Sequence, residues 1–208
     1  MEQGETPEER QAAAASPARS GTFASLGLPQ FKVLLVGTGA SQVANWMEAV
    51  ARGWLVADLT GSAFQLGLVA FVYGISSLIA SPVAGVLTDR IDRRTLAIAT
   101  QLLSGTIALT LGILVVTDSI QLWQVYAAAV VSGVSAAVNM PVRQVLLYDI
   151  VGTENLTNAI ALNSVTANIA RIAAPTFGGS IIAAAGIGEA YFAEAAFLLI
   201  ATIATFSL

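Results

Sequence analysis

The residues best equipped for chemistry in this sequence are a few charged and amide side chains set inside long apolar runs. Between residues 33 and 57, Ser41, Asn45, Glu48 and Arg52 recur at i, i+4, i+7 and i+11, one stripe of a helix, with Gln42 beside it. Between 159 and 185, Ser164, Asn168, Arg171 and Pro175 repeat that spacing, and 120–142 carries Ser132, Ser135 and Asn139. Polar groups are costly against lipid, so such stripes are expected to face the protein interior or a watery cavity. Gln42, Asn45, Glu48, Arg52, Asn139, Asn168 and Arg171 are therefore the candidate contacts for a substrate or a proton pathway.

Arginine keeps its proton even when buried. Arg171 lies deep in its run and so needs a counter-charge or water; Glu48 is the expected partner, with Glu194 less well placed. Glu48 is also the carboxylate expected to exchange a proton, because burial and a neighbouring cation act on it in opposite directions. Glu48 and Arg52 form a favourable i,i+4 pair. Arg52 reads equally as a site residue and as an anchor whose long stem snorkels to the interface. The serines read as helix–helix hydrogen bonds, at about 0.6 kcal/mol each.

Whole classes of chemistry are excluded. The chain has no cysteine and no histidine, which removes disulfides, thiolate and imidazole metal sites, and Cys or His catalysis. Glu48 and Glu194 form no evident catalytic pair, so no enzyme activity, cofactor or metal is expected, and no basic tract points to nucleic acid.

The elements that must position these side chains follow from composition. Of 208 residues, 56% are hydrophobic and 11% charged, with a mean hydropathy of +0.76; a soluble domain carries roughly a quarter charged residues. A membrane-crossing helix needs about 20 mostly apolar residues. Six runs qualify, at about 33–57, 63–87, 95–117, 120–142, 159–185 and 190–208. The partner of these surfaces is a lipid bilayer. With the N-terminus inside, the inner segments hold Arg10, Arg19, Lys32, Arg90, Arg93, Arg94 and Arg143, while the outer loops hold only Asp58, Asp118 and Glu189. This asymmetry predicts that both termini are cytoplasmic. Residues 1–30 lack an apolar run and read as a disordered cytoplasmic tail preceding a bundle at 31–208.

Between the second and third runs stands Gly85-Val-Leu-Thr-Asp89-Arg90-Ile-Asp92-Arg93-Arg94. It resembles the loop signature of the major facilitator superfamily, glycine-x-leucine-x-aspartate-arginine-x-glycine-arginine-arginine, with Asp92 in place of the second glycine. Gly85 would let helix ends approach closely, and Arg93 would reach an acid at the inner end of another helix, the best being Asp149. In that family the cluster latches two halves together, a role the resemblance extends to Gly85, Asp89, Arg90, Arg93, Arg94 and Asp149. Ala174-Pro175-Thr-Phe-Gly178-Gly179 is similar to the fifth-helix motif of the family's antiporters, which implies export through a helix bent at Pro175. Asn45-Trp46, Leu59-Thr60-Gly61-Ser62 and Asn158-Ala-Ile-Ala-Leu-Asn163-Ser164 resemble the branch that contains the bacterial enterobactin exporter. Many proton-coupled members carry an arginine within the fourth helix, and none occurs here between Arg94 and Arg143.

The resemblance implies an all-α membrane protein of the bacterial cytoplasmic membrane, the N-terminal six-helix half of a twelve-helix transporter built from 3+3 inverted repeats. It would export small amphipathic molecules by alternating access, with proton antiport as a candidate coupling. Its further partners would be a substrate and the missing C-terminal half or a second copy; the alternative is a non-transporting subunit or an inactive half. Gly74, Ser77, Ser81 and Gly85 line one face of the second run at close-packing spacing. That face serves equally for packing within this half and for docking on the absent one.

Overall fold

The computed structural model describes residues 27–208. The tail expected over 1–30 thus lies outside the described residues up to position 26, and the first helix begins at Pro29, two positions before the expected bundle boundary.

Six helices make up all the regular structure of the described residues: α1 Pro29–Thr60, α2 Ala63–Arg90, α3 Arg93–Val116, α4 Leu122–Thr153, α5 spanning 154–184, and α6 Ile187–Phe206. Local chemistry sets their ends. Pro29 opens α1 without forfeiting a helical hydrogen bond. Asp92 caps α3, accepting from the Thr95 N–H at 2.9 Å and its hydroxyl at 2.8 Å. A reciprocal pair of glutamines, Gln121 and Gln124, caps α4.

The fourth helix runs well past its expected end at 142, and the fifth starts before 159. Only Gly152, at φ 65° and ψ −177°, separates them. That backbone conformation is essentially confined to glycine. Apolarity marked where the chain leaves hydrocarbon, whereas the helical hydrogen bonds continue through the polar residues that follow. Arg143, expected in an inner loop, consequently lies inside α4.

Among the described residues, four helices are long and apolar enough to cross a membrane: α2, α3, α4 and α6. The other two, α1 and α5, are those that carry the Glu48–Arg52 and Asn168–Arg171 stripes. Several hydroxyls within the helices are satisfied locally, with Thr88, Thr106, Thr110, Ser180 and Thr202 each donating to the carbonyl four residues earlier. Much of the polarity is thereby closed off inside the helices, as a lipid environment demands, whereas Gln101, Ser135, Tyr191 and Glu194 each keep a buried side-chain atom without a hydrogen-bond partner.

Small residues fix the contacts between helices. α1 meets α5 where Gly39 faces Thr166 and Gly178 faces Met47, and meets α6 where Gly37 faces Ala201 and Ala204. α2 lies on α4 through Gly133, whose missing Cβ would stand 2.4 Å from the Tyr73 carbonyl oxygen. α3 lies on α6 through Gly112 and Gly188, and reaches α4 through a hydrogen bond from Asn139 to Thr100 at 3.2 Å. α1 and α2 touch little. The largest core groups Ala51, Leu55 and Val56 of α1 with Val69, Ala108, Leu111, Val125 and Tyr191.

The small-residue face of α2 divides. Ser77 packs against Gly133, while Gly74, Ser81 and Gly85 are exposed, and nothing lies within 4 Å of a Cβ built on either glycine. Gly85 therefore permits no close approach within the described residues.

Candidate functional site

The polar residues fall into three groups, and the first is centred on α1. Glu48 Oε1 and Arg52 Nη1 form an ion pair at 2.7 Å, with side chains only 16% and 13% exposed. The Arg52 guanidinium also lies 4.7 Å from the centroid of the Tyr73 ring, a cation–π contact that ties α1 to α2 across their sparse boundary. Arg52 is thus a partner in a fixed cluster and not a free anchor. Glu48 is already paired, so the expected Glu48–Arg171 bridge is not made. Two α6 residues complete the group. Tyr191 and Glu194 are buried, lie within electrostatic reach of Glu48 and Arg52, and have no partner for the Tyr191 hydroxyl or Glu194 Oε2.

The second group lines the open sides of α1 and α5. Gln42 is half-buried and Asn45 exposed, their amides at 3.5 Å, the limit of a hydrogen bond. Asn168 and Arg171 are exposed, and Arg171 has no ion pair among the described residues. Beside them Gly178 seats α5 on Met47, whereas Gly179 meets nothing within 4 Å and Pro175 is half-buried. Asn139 departs from this group: it faces α3, donating to Thr100 and accepting from the Arg143 Nε–H. It is a packing residue of the α3–α4 contact.

The third group gathers at the α2–α3 loop. Arg93 Nη1 donates to Asp149 Oδ2 at 2.5 Å, joining α3 to α4 across 56 positions as the loop signature implied. Arg94 reaches the opposite side, bonding the Phe206 carbonyl at the end of α6 and lying 5.3 Å from the Phe206 ring centroid. Asp89 and Arg90 are exposed. Asp92, the departure from the signature, owes its place to the cap of α3. The Thr95 N–H, then its hydroxyl, hold the Asp92 carboxyl below the usual carboxylate range.

Sequence spacing identified the stripe of α1 and the Arg93–Asp149 pair but missed Tyr73, Tyr191 and the placement of Glu194. A usable signal was present: Tyr191 and Glu194 stand at i, i+3 in an otherwise apolar helix, and so share a face.

Residues 20–207 match the family model described as transmembrane secretion effector. The chain is 26% identical over 175 residues to the uncharacterized MFS-type transporter YfiS of Bacillus subtilis, an alignment covering 83% of this chain and 41% of that protein. It is 28% identical over 162 residues to the staphyloferrin A transporter of Staphylococcus aureus, covering 76% and 40% respectively. It is 25% identical over 168 residues to the enterobactin exporter EntS of Salmonella typhimurium, covering 81% and 41%. The chain thus spans about two fifths of the length of the curated relatives it matches. With the family model covering nearly all described residues, the chain belongs to the transmembrane secretion effectors of the major facilitator superfamily, transporters and not enzymes.

Proposed function

We propose that this chain forms the N-terminal half of a secondary transporter of the bacterial cytoplasmic membrane, exporting small amphipathic molecules of the drug or siderophore type by alternating access. All six helices cross the bilayer with both termini inside. The observation that carries the reading is Arg171. It is exposed near the middle of α5, about 20 Å by helical rise from the end at residue 184. A permanent cation at that depth tolerates a watery cavity but not lipid. Gln42, Asn45 and Asn168 are the amides available to a substrate beside it.

The packing supports a 3+3 repeat. Exchanging α1, α2 and α3 for α4, α5 and α6 turns the α1–α5 contact into the α4–α2 contact and the α1–α6 contact into the α4–α3 contact. The open face of α2, with Gly74, Ser81 and Gly85, suits a second six-helix half. The Arg93–Asp149 pair beside it would act as the latch while the cavity opens outward. The two siderophore-named relatives favour an iron-chelator-like cargo.

The test is the size and flux of the native product. A membrane band near twice this length, with efflux of an amphipathic dye that Arg171→Gln abolishes, fits the proposal. A product of this length that moves no dye or siderophore in proteoliposomes would overturn it in favour of a non-transporting subunit.

A further inference from the structure

The α1–α6 cluster holds two acids and one cation. Glu48 is paired with Arg52 at 2.7 Å. Glu194 is 3% exposed, and its Oε2 meets no hydrogen-bond partner. The other helices packed on α6 bring nothing to offset it. On α1 only Glu48 and Arg52 lie in electrostatic reach, and on α2 the nearest titratable group, Tyr73, stacks on Arg52. α3 meets this stretch of α6 through Gly105 and Gly112, whereas its charges, Arg93 and Arg94, lie about 20 Å away along the helix. α5 contributes Phe177, edge-on to Phe197, and its Arg171 is exposed outside the cluster. Within α6 itself, Tyr191 is neutral and Glu189 is exposed at the helix start.

An uncompensated carboxylate is not sustained in such a place, because desolvation of a lone ion costs several kcal/mol or more. A metal cation would need several oxygen ligands, and no group of three acidic side chains occurs among the described residues. The geometry points to Glu194 as a proton-carrying carboxylate, buried on the helix that packs against the one carrying the Glu48–Arg52 pair. Transfer of that proton to Glu48 would leave Arg52 paired with Glu194 in place of Glu48, with the net charge of the cluster unchanged.

What this proton does depends on the transporter reading; where it sits does not. The experiment is infrared spectroscopy of the chain in lipid vesicles at neutral pH, with no substrate present. The carbonyl band of a buried protonated carboxylic acid is expected in the parent chain, lost in Glu194→Gln, and lost as well in Glu48→Gln, which leaves Arg52 to pair with an ionised Glu194. Glu194→Asp, which keeps the acid, is expected to displace the band and serves if the glutamine variant does not fold. No such band, a band unaltered by both Glu194 substitutions, or a band removed by added sodium would overturn the inference. A missing band leaves the flux measurement standing, and missing flux with the band present refutes only the transporter reading.

Discussion

Gly133 allows the sharpest test of how this bundle is held together. A Cβ at that position would stand 2.4 Å from the Tyr73 carbonyl oxygen, 3.1 Å from Ser76 Cβ and 3.2 Å from the Ser77 nitrogen. Two of these neighbours are backbone atoms, which cannot swing aside. Restoring ordinary contact in Gly133→Ala requires α2 and α4 to part by about 1 Å, and overpacking of this kind costs about 1–3 kcal/mol. Gly74→Ala on the same α2 helix is the control. Nothing lies within 4 Å of its Cβ, and alanine in a helix interior is favoured over glycine by about 0.5–1 kcal/mol. Thermal denaturation of the purified chain in detergent, followed by loss of the monodisperse species, is expected to rank Gly74→Ala at or above the parent and Gly133→Ala clearly below it. A Gly133→Ala chain as stable as the parent would refute the claim that α2 and α4 meet backbone to backbone. The same Gly74→Ala substitution is expected to impair assembly with a second half, so the two effects separate stability from docking.

Three further outcomes follow from named contacts. Arg52→Gln leaves Glu48 without its cation and is expected to cost about 2–4 kcal/mol, between the exposed and buried limits for ion pairs; the double variant with Glu48→Gln should recover part of that loss in a denaturation cycle. Asp92 has its carboxyl held below the usual range by Thr95, so its contribution to stability is present above that range and fades as pH falls through the lowered value. Comparing thermal midpoints against pH, the parent should lose more on acidification than Asp92→Asn, which caps without titrating. Gly152→Ala should destabilise by about 1–3 kcal/mol through backbone strain alone, since nothing lies within 4 Å of that position; an unchanged midpoint would mean that the α4–α5 break does not require φ 65°.

The sequence by itself determined the number and type of elements, because length and apolarity of a run are local properties. It also determined which face of α1 is polar, since Asn45, Glu48 and Arg52 inherit their common side from helical spacing. The Arg93–Asp149 pair was legible for a different reason: few acids stand near the inner helix ends, so the choice was narrow. Partnership inside the bundle was not legible. Glu48 had two cations within its reach in sequence terms, Arg52 and Arg171, and only the packing of α1 against α5 and α6 left Arg171 outside and put Glu194 inside. Helix ends past 142 escaped because helical hydrogen bonding ignores polarity, and only Gly152 interrupts it. Spacing along one helix fixes direction about its own axis; which neighbour lies in that direction is set by where separate helices can approach, and here glycines such as Gly133, Gly112 and Gly39 decide it.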